Sequence, residues 1–302
     1  MAAKLISMNP RRVLYHFFFV AYFFTASALA DEHPLLMWQL DGTNNTIYLL
    51  GSVHLLREQD HPIPSAINAA YEQADTLIME LDMDDLDPVE TQMLINELGM
   101  IKDGGSLGDL MGADLYAEAE KLASDINIPL AMLSGTEPWL AAINIEQLIL
   151  MRIGFNPMYG IESFLMSKAG ADQKEILGLE SIGEQLGFLD RMSLDAQRLL
   201  LMQTLAESAD IENIMDELVA AWRHGDIDYL EKSMLADMQE FSELYDALVV
   251  NRNQNWTQQI EALLDDDQDY LIIVGALHLI GKDGLPTLLR ERGQELTQMR
   301  QE

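Results

Sequence analysis

Two apolar runs near opposite ends of this chain finish in the same way. Tyr48-Leu49-Leu50-Gly51-Ser52-Val53-His54 lies near the start, and Ile272-Ile273-Val274-Gly275-Ala276-Leu277-His278 near the end. Each reads as a strand, then Gly-x-x-His, then a loop and a proline just before a helix. The glycine permits a close backbone approach, and the histidine three residues on is aimed into whatever the loop lines. Two further apolar runs end in a carboxylate: Thr76 to Met79 at Glu80, and Glu175 to Leu179 at Glu180. In open α/β sheets the strand ends face the binding crevice. Four strands delivering His54, Glu80, Glu180 and His278 are therefore expected to converge, which ties the first and last segments into one sheet.

The rest of the chain supports an α/β (α+β) fold, a mixed sheet built from the N- and C-terminal segments with helices around it. Leu36–Leu40 and Thr46–Gly51, separated by the turn residues Asp41-Gly42-Thr43-Asn44-Asn45, read as a hairpin. A helix from Ser65 with Ile67, Ala70, Tyr71 and Ala74 in period leads to the run ending at Glu80, the βαβ rhythm of a parallel or mixed sheet. Residues 82–111, broken by Pro88 and several glycines, are expected on the surface. A helix over 114–124, a strand at Ile128–Leu133, and helices opening near Thr136 and Gly160 follow. The stretch of about 186–264 is helical by period and reads as a helical insertion within a single domain, 31–302.

The N-terminus is expected to be a signal peptide. Arg11 and Arg12 precede an apolar run over 13–29 that closes in Ala28-Leu29-Ala30, and cleavage is expected after Ala30; a retained anchor is the alternative. Cleavage leaves 15 basic against 50 acidic residues, a net charge of −35 against −32 for the whole sequence. The mature chain is expected to be periplasmic or secreted, without stable membrane insertion. Such acidity repels nucleic acid and anionic membrane surfaces. Absence of cysteine excludes disulfides, thiolate metal sites and Cys nucleophiles, so any metal must be held by His and carboxylates.

Two imidazoles with one or two carboxylates are a plausible set for Zn, Mn, Fe or Co. The plainer readings are a buried histidine bonded to a backbone carbonyl, and carboxylates solvated at strand ends. Asp82, Asp84, Asp85 and Asp87 lack the glycine and terminal glutamate of an EF-hand loop and read as solvated acids. His61 is better read as a loop histidine than as a further ligand, and the methionine pairs as core. No phosphate loop, Gly-x-Ser-x-Gly elbow or His-Glu-x-x-His helix occurs.

Together with Pro138-Trp139, Tyr159-Gly160-Ile161-Glu162, Gly178-Leu179-Glu180 before Gln185, Trp222 to Asp226, Arg252-Asn253 with Trp256, and Gly281 and Gly284, these motifs resemble the TraB/PrgY/GumN superfamily over residues 35–295, with the bacterial GumN-like branch most similar. Eukaryotic Tiki proteins of that superfamily are metal-dependent proteases whose metal chemistry is assigned to the two Gly-x-x-His motifs and conserved glutamates. The resemblance implies a metal-dependent hydrolase, most plausibly a peptidase, with a divalent metal ion at His54, Glu80 and His278 and a peptide or small-molecule substrate. Glu180 is the candidate general base for a metal-bound water. Arg252 is the candidate for the oxyanion or a substrate carboxylate, its alternative being a salt bridge to one of the many acids. Tyr159 and Glu162 could equally shape a loop and cap a helix. Two other readings stand beside the enzyme: a module binding peptide, haem or metal without turnover, and a regulatory protein whose motif residues only hold the fold.

Overall fold

Turn chemistry at Asp41–Asn45 folds the chain back on itself. β1 (His33–Asp41) and β2 (Thr46–Ser52) pair antiparallel, with Leu40 opposite Ile47 and Met37 opposite Leu50. The computed structural model describes residues 33–235, 238 and 242–301; the apolar N-terminal run and the cleavage point expected after Ala30 lie outside them. β3 (Thr76–Leu81), β4 (Glu175–Glu180), β5 (Tyr270–Gly275) and β6 (Leu296–Gln301) complete one mixed sheet in the order β4-β3-β5-β2-β1-β6. β2, β5, β3 and β4 are mutually parallel, with Gly51 beside Val274 and Met79 beside Ile273. The sequence explains the split. Every residue of β5 is buried, as a central parallel strand covered on both faces requires, whereas β6, at the sheet edge, has no buried residue and mixes partly buried with exposed positions. That polar, half-exposed composition is why β6 carries no apolar run to announce it.

Helices cover the sheet. α1 (Ser65–Gln73) buries Ile67, Ala70 and Tyr71, the expected apolar stripe, and links β2 to β3. Between β3 and β4 lie α2 (Pro88–Gly99), α3 (Leu107–Met111), α4 (Ala113–Asp125), α5 (Pro138–Arg152) and α6 (Ile161–Asp172). Between β4 and β5 come α7 (Ile182–Asp190), α8 (Leu194–Glu207), α9 (Ile211–Arg223), α10 (Ile227–Leu230), α11 (Ser242–Tyr245) and α12 (Asn251–Leu263), and α13 (Leu285–Glu291) precedes β6. The expected helical middle is therefore present, joined by a second helical segment between β3 and β4.

The principal core packs on the sheet and joins Leu49, Tyr71, Leu165, Trp256 and Ile272; a second core joins α3, α4, α5 and α8 through Leu107, Ala119, Ile145 and Leu201. Two expectations are corrected by it. The strand expected at Ile128–Leu133 is instead a 3-10 turn over Leu130–Leu133: Ile128 and Leu130 are apolar because they bury in that second core, away from the sheet. Within the segment expected on the surface, Leu107 and Met111 are buried in that same core. Among the described residues, no helix is long and apolar enough to cross a membrane.

Candidate functional site

Because β2, β3, β4 and β5 are parallel, their C-terminal ends open on one edge of the sheet. β5, the last of the four in the chain, inserts between β2 and β3, so the second Gly-x-x-His loop is delivered between the first one and Glu80. Glu80 is the hub. Its Oε1 accepts from the Gly275 amide at 2.7 Å and lies 3.8 Å from His278 Nε2. Its Oε2 accepts from Arg252 at 2.5 Å and from Gln185 at 3.2 Å. A Cβ on Gly275 would stand 3.0 Å from His54 Nε2 and 3.3 Å from Glu80 Oε1. The motif glycine thus keeps open the space that the imidazole and the carboxylate share.

Each histidine is gripped at Nδ1. His54 donates to Glu162 Oε1 at 2.7 Å, and Ser52 Oγ donates to the same oxygen. Gly160 lets α6 bring Glu162 that close, since a Cβ there would meet the His54 carbonyl oxygen at 2.1 Å. The His54 ring is held at one side and open to the cavity at the other, with 56% of its side chain exposed. His278 is buried. Its Nδ1–H donates to Asn253 Oδ1 at 2.7 Å, and Trp256 packs on its ring at a centroid distance of 4.5 Å. Its Nε2 accepts from Arg252 Nη1 at 3.0 Å; a guanidinium has no lone pair, so this contact fixes the neutral tautomer.

Arg252 and Asn253 come from the first turn of α12, which continues without a break from a π-helical turn over Asp246–Val250. Extra-wide turns of this kind recur at functional sites, and here Arg252, Asn253, Trp256 and Ile260 all face inward. The Arg252 guanidinium lies over the Trp256 ring and donates to Glu180 from Nε at 3.1 Å and from Nη2 at 2.7 Å. One buried cation therefore bridges the two strand-end glutamates.

Charges follow from these contacts. The Glu162 carboxylate, against an opposing effect of burial, raises His54 to about 9. Burial drives His278 down to about 3, with Arg252 and His54 acting in the same direction and Glu80 against them. For Glu80, burial disfavours the charge but is outweighed by His278, Arg252, His54 and the Gly275 amide, and the carboxyl is held down to about 2. Since His278 is itself neutral, Arg252 is the fixed cation in this balance. Burial raises Glu180, which Arg252 opposes.

His54, Glu80, Arg252 and His278 form the polar end of a cavity of about 350 Å³. The remaining walls are mainly apolar, among them Leu150 of α5, Met215, Leu218 and Trp222 of α9, and Leu277. Glu180 is not among the residues that line it; it lies behind Arg252, 5% exposed. His61 also lies off the cavity, bonded to the Tyr159 carbonyl.

Both imidazoles present Nε2 because both Nδ1 atoms are engaged, an outer-shell arrangement usual for metal-ligating histidine. With Glu80 they fit a divalent cation in kind once His54, held protonated by Glu162, gives up its Nε2 proton as the metal binds. Arg252, however, holds the His278 lone pair and one Glu80 oxygen, and among the described residues no group of three His, Asp or Glu side chains stands ready to hold a metal ion. Sequence reasoning missed three parts of this site: the Glu162 grip on His54, the Asn253 grip on His278, and Glu146 of α5 on the cavity wall. The third had a signal, since Glu146 is the sole acid in the mainly apolar helix Pro138–Arg152.

The fold and the site define an α/β protein with paired Gly-x-x-His strand ends. The model of the TraB/PrgY/gumN family matches residues 36–298, and the chain belongs to that family. Among its relatives, the uncharacterized protein YbaP of Escherichia coli (strain K12) is 24% identical over 268 residues, covering 87% of this chain and 96% of YbaP. An uncharacterized protein of Treponema pallidum (strain Nichols) is 23% identical over 278 residues, 88% of this chain and 83% of its own length. No solved structure matches.

Proposed function

We propose that this protein is an exported, metal-dependent hydrolase acting on peptides. The observation that carries the reading is the pair of imidazoles, each gripped at Nδ1 by an oxygen acceptor, whose Nε2 atoms turn toward Glu80 at the polar end of an apolar cavity. His54, Glu80 and His278 would hold the cation, which when bound supplies Lewis acidity and acidifies a water. Arg252, on the cavity wall, is the fixed positive charge available to an oxyanion or a substrate carboxylate. Glu180, bonded to Arg252 away from the cavity, suits a positioning role better than proton transfer.

The test is to strip purified protein with a chelator, restore Mn, Co, Zn or Fe singly, and follow a peptide library by mass spectrometry. Cleavage is expected with at least one metal and is lost in His54→Ala and His278→Ala. No cleavage with any metal overturns the reading. Export is tested by cell fractionation with intact mass: a chain beginning at Asp31 is expected outside the cytoplasm.

One observation favours a second reading. Arg252 already bonds Glu80, Glu180 and His278 Nε2, so the polar end is hydrogen-bonded as it stands, and the cavity would then take a ligand without turnover. Stoichiometric peptide binding by calorimetry with no metal dependence and no cleavage would select it.

A further inference from the structure

Several apolar side chains on the cavity wall are covered by the principal core on one side only. Met215 and Leu218 of α9, Met234 and Leu248 of the π-helical turns Glu231–Leu235 and Asp246–Val250, and Leu277 pack against that core, yet each stays partly uncovered where it lines the cavity. Apolar surface left in this state gains free energy when an apolar group covers it. The wall is also held in place. Met215, Leu218 and Trp222 fall on one face of α9 at helical spacing. Trp222 Nε1–H donates to the Gly51 carbonyl at 2.7 Å, and Arg223 donates to the Pro62 carbonyl at 3.0 Å, so this stripe is fixed to the segment that presents His54. The wall starts directly at the polar end, since Leu277 adjoins His278 and the Leu248 carbonyl accepts from Arg252 at 3.3 Å. Charge narrows the match further. The polar end carries both signs, Arg252 beside Glu80, and the exposed Glu146 adds another negative charge to the lining. A neutral amide, which both donates and accepts, suits such an end, whereas a free carboxylate is repelled by both acids.

We infer that the cavity receives one bulky apolar side chain of a peptide, of the leucine, methionine or phenylalanine class, while an amide of that same residue lies at the polar end, and that Leu218 sets which side chain fits. Leu218 stands between Met215 and Trp222 on the α9 stripe. Met215 and Met234 add unbranched, adaptable chains that follow an irregular apolar shape. At about 350 Å³ the cavity lies at the small end of ligand pockets and suits one residue rather than a long segment. The inference deepens the peptide reading above and rests on it for the class of ligand, but its test reads binding and needs no turnover.

The probes are blocked pentapeptides, acetyl-Gly-Gly-X-Gly-Gly-amide with X as Leu, Ala or Asn, and octanoate, titrated calorimetrically into the full chain and into Leu218→Trp, with thermal unfolding as the check on folding. The Leu peptide is expected to bind roughly 10-fold or more tightly than the Ala peptide, because its extra carbons leave water, and the Asn peptide, similar to Leu in shape, no more tightly than Ala. Leu218→Trp fills the cavity and is expected to erase the preference for Leu while its Tm stays within a few degrees. Equal binding of the Leu and Ala peptides, tighter binding of Asn, no binding of any peptide, or a preference that survives in Leu218→Trp overturns the inference. Octanoate bound as tightly as the Leu peptide would reassign the cavity to free acyl chains and overturn the peptide part. Selective binding without cleavage under any metal would leave the inference standing and sink only the hydrolase reading. Where a metal does support cleavage, a cut at a bond that does not involve X overturns the placement of the amide. Should Leu218→Trp not fold, Met215→Trp narrows the same wall one turn away and is expected to give the same loss.

Discussion

Gly275 takes a backbone conformation open to any residue, φ −52° and ψ 142°, so its role lies in the space beside it and not in its dihedral freedom. Gly275→Ala places a methyl group 3.0 Å from His54 Nε2 and 3.3 Å from Glu80 Oε1. The expected outcome is a near-native unfolding midpoint with at least a 10-fold loss of affinity for Mn or Zn by calorimetry; unchanged affinity would show that the space between imidazole and carboxylate is not a ligand position. Asp60 offers a test of electrostatics away from that space. Burial alone would raise its carboxyl, but bonds from the Arg57 side chain and amide hold it below its ordinary value of 3.8. A carboxyl lowered on folding adds stability above the unfolded pKa and loses it as pH falls through the folded one. Asp60→Asn is therefore expected to cost about 1–3 kcal/mol at pH 7, a gap that narrows progressively below pH ~4; chemical unfolding of both proteins across pH 3–7 checks the sign. At this scale the motif residues were legible in the sequence, because Gly-x-x-His twice over is a local pattern. Their partners were not: Glu162 lies 108 positions from His54 and Asn253 lies 25 from His278, and no spacing rule joins residues across such distances.

Among the elements, the helix Asn251–Leu263 determines what the strand ends become. Its first turn lowers Arg252 onto Glu80 and Glu180, both strand-terminal and both nearly buried, 11% and 5% exposed. Removing one partner of a buried ion pair leaves the other charges uncompensated, so Arg252→Ala is expected to destabilise by about 3–5 kcal/mol. Replacing the acids as well, in Arg252→Ala with Glu80→Gln and Glu180→Gln, is expected to return much of that loss. Equilibrium urea unfolding checks both, and a single-variant loss within about 0.5 kcal/mol would mean that the buried bridge is not what holds the helix to the sheet. The expectation of a salt bridge for Arg252 and that of a substrate contact are thus both compatible with one side chain, which bonds the glutamates and lines the cavity. Element types were largely readable from the chain. The hairpin, α1, and the runs ending in Glu80, Glu180 and Gly275 all form where periodicity placed them, since burial on one or both faces imposes that pattern directly. The segment Ile128–Leu133 and strand β6 were not, for complementary reasons. One is apolar without a sheet neighbour, and the other has a sheet neighbour without being apolar.

Over the whole molecule, the net charge of −32 outweighs any individual ion pair. Several of the pairs present, such as Lys282 with Asp283 and Arg198 with Asp195, have a strongly exposed partner and add little. Self-repulsion among the acids should then govern the salt response. Raising NaCl from about 20 to 200 mM shortens the Debye length severalfold and is expected to raise Tm by roughly 2–4 °C, the shift made by about 1 kcal/mol in a domain of this size; a fall in Tm, followed calorimetrically, would assign more weight to surface ion pairs than these contacts support. By itself the sequence determined five of the six strands, the helical middle, the four strand-end side chains and the family, because each is written in local periodicity or in short motifs. Only the tertiary structure decided that β5 enters between β2 and β3, that Arg252 occupies the junction of Glu80, Glu180 and His278, and that Glu146 faces the same cavity from a different layer. Strand order and side-chain encounter depend on how distant segments exclude water together, and that is a property of the packed chain and not of any window along it.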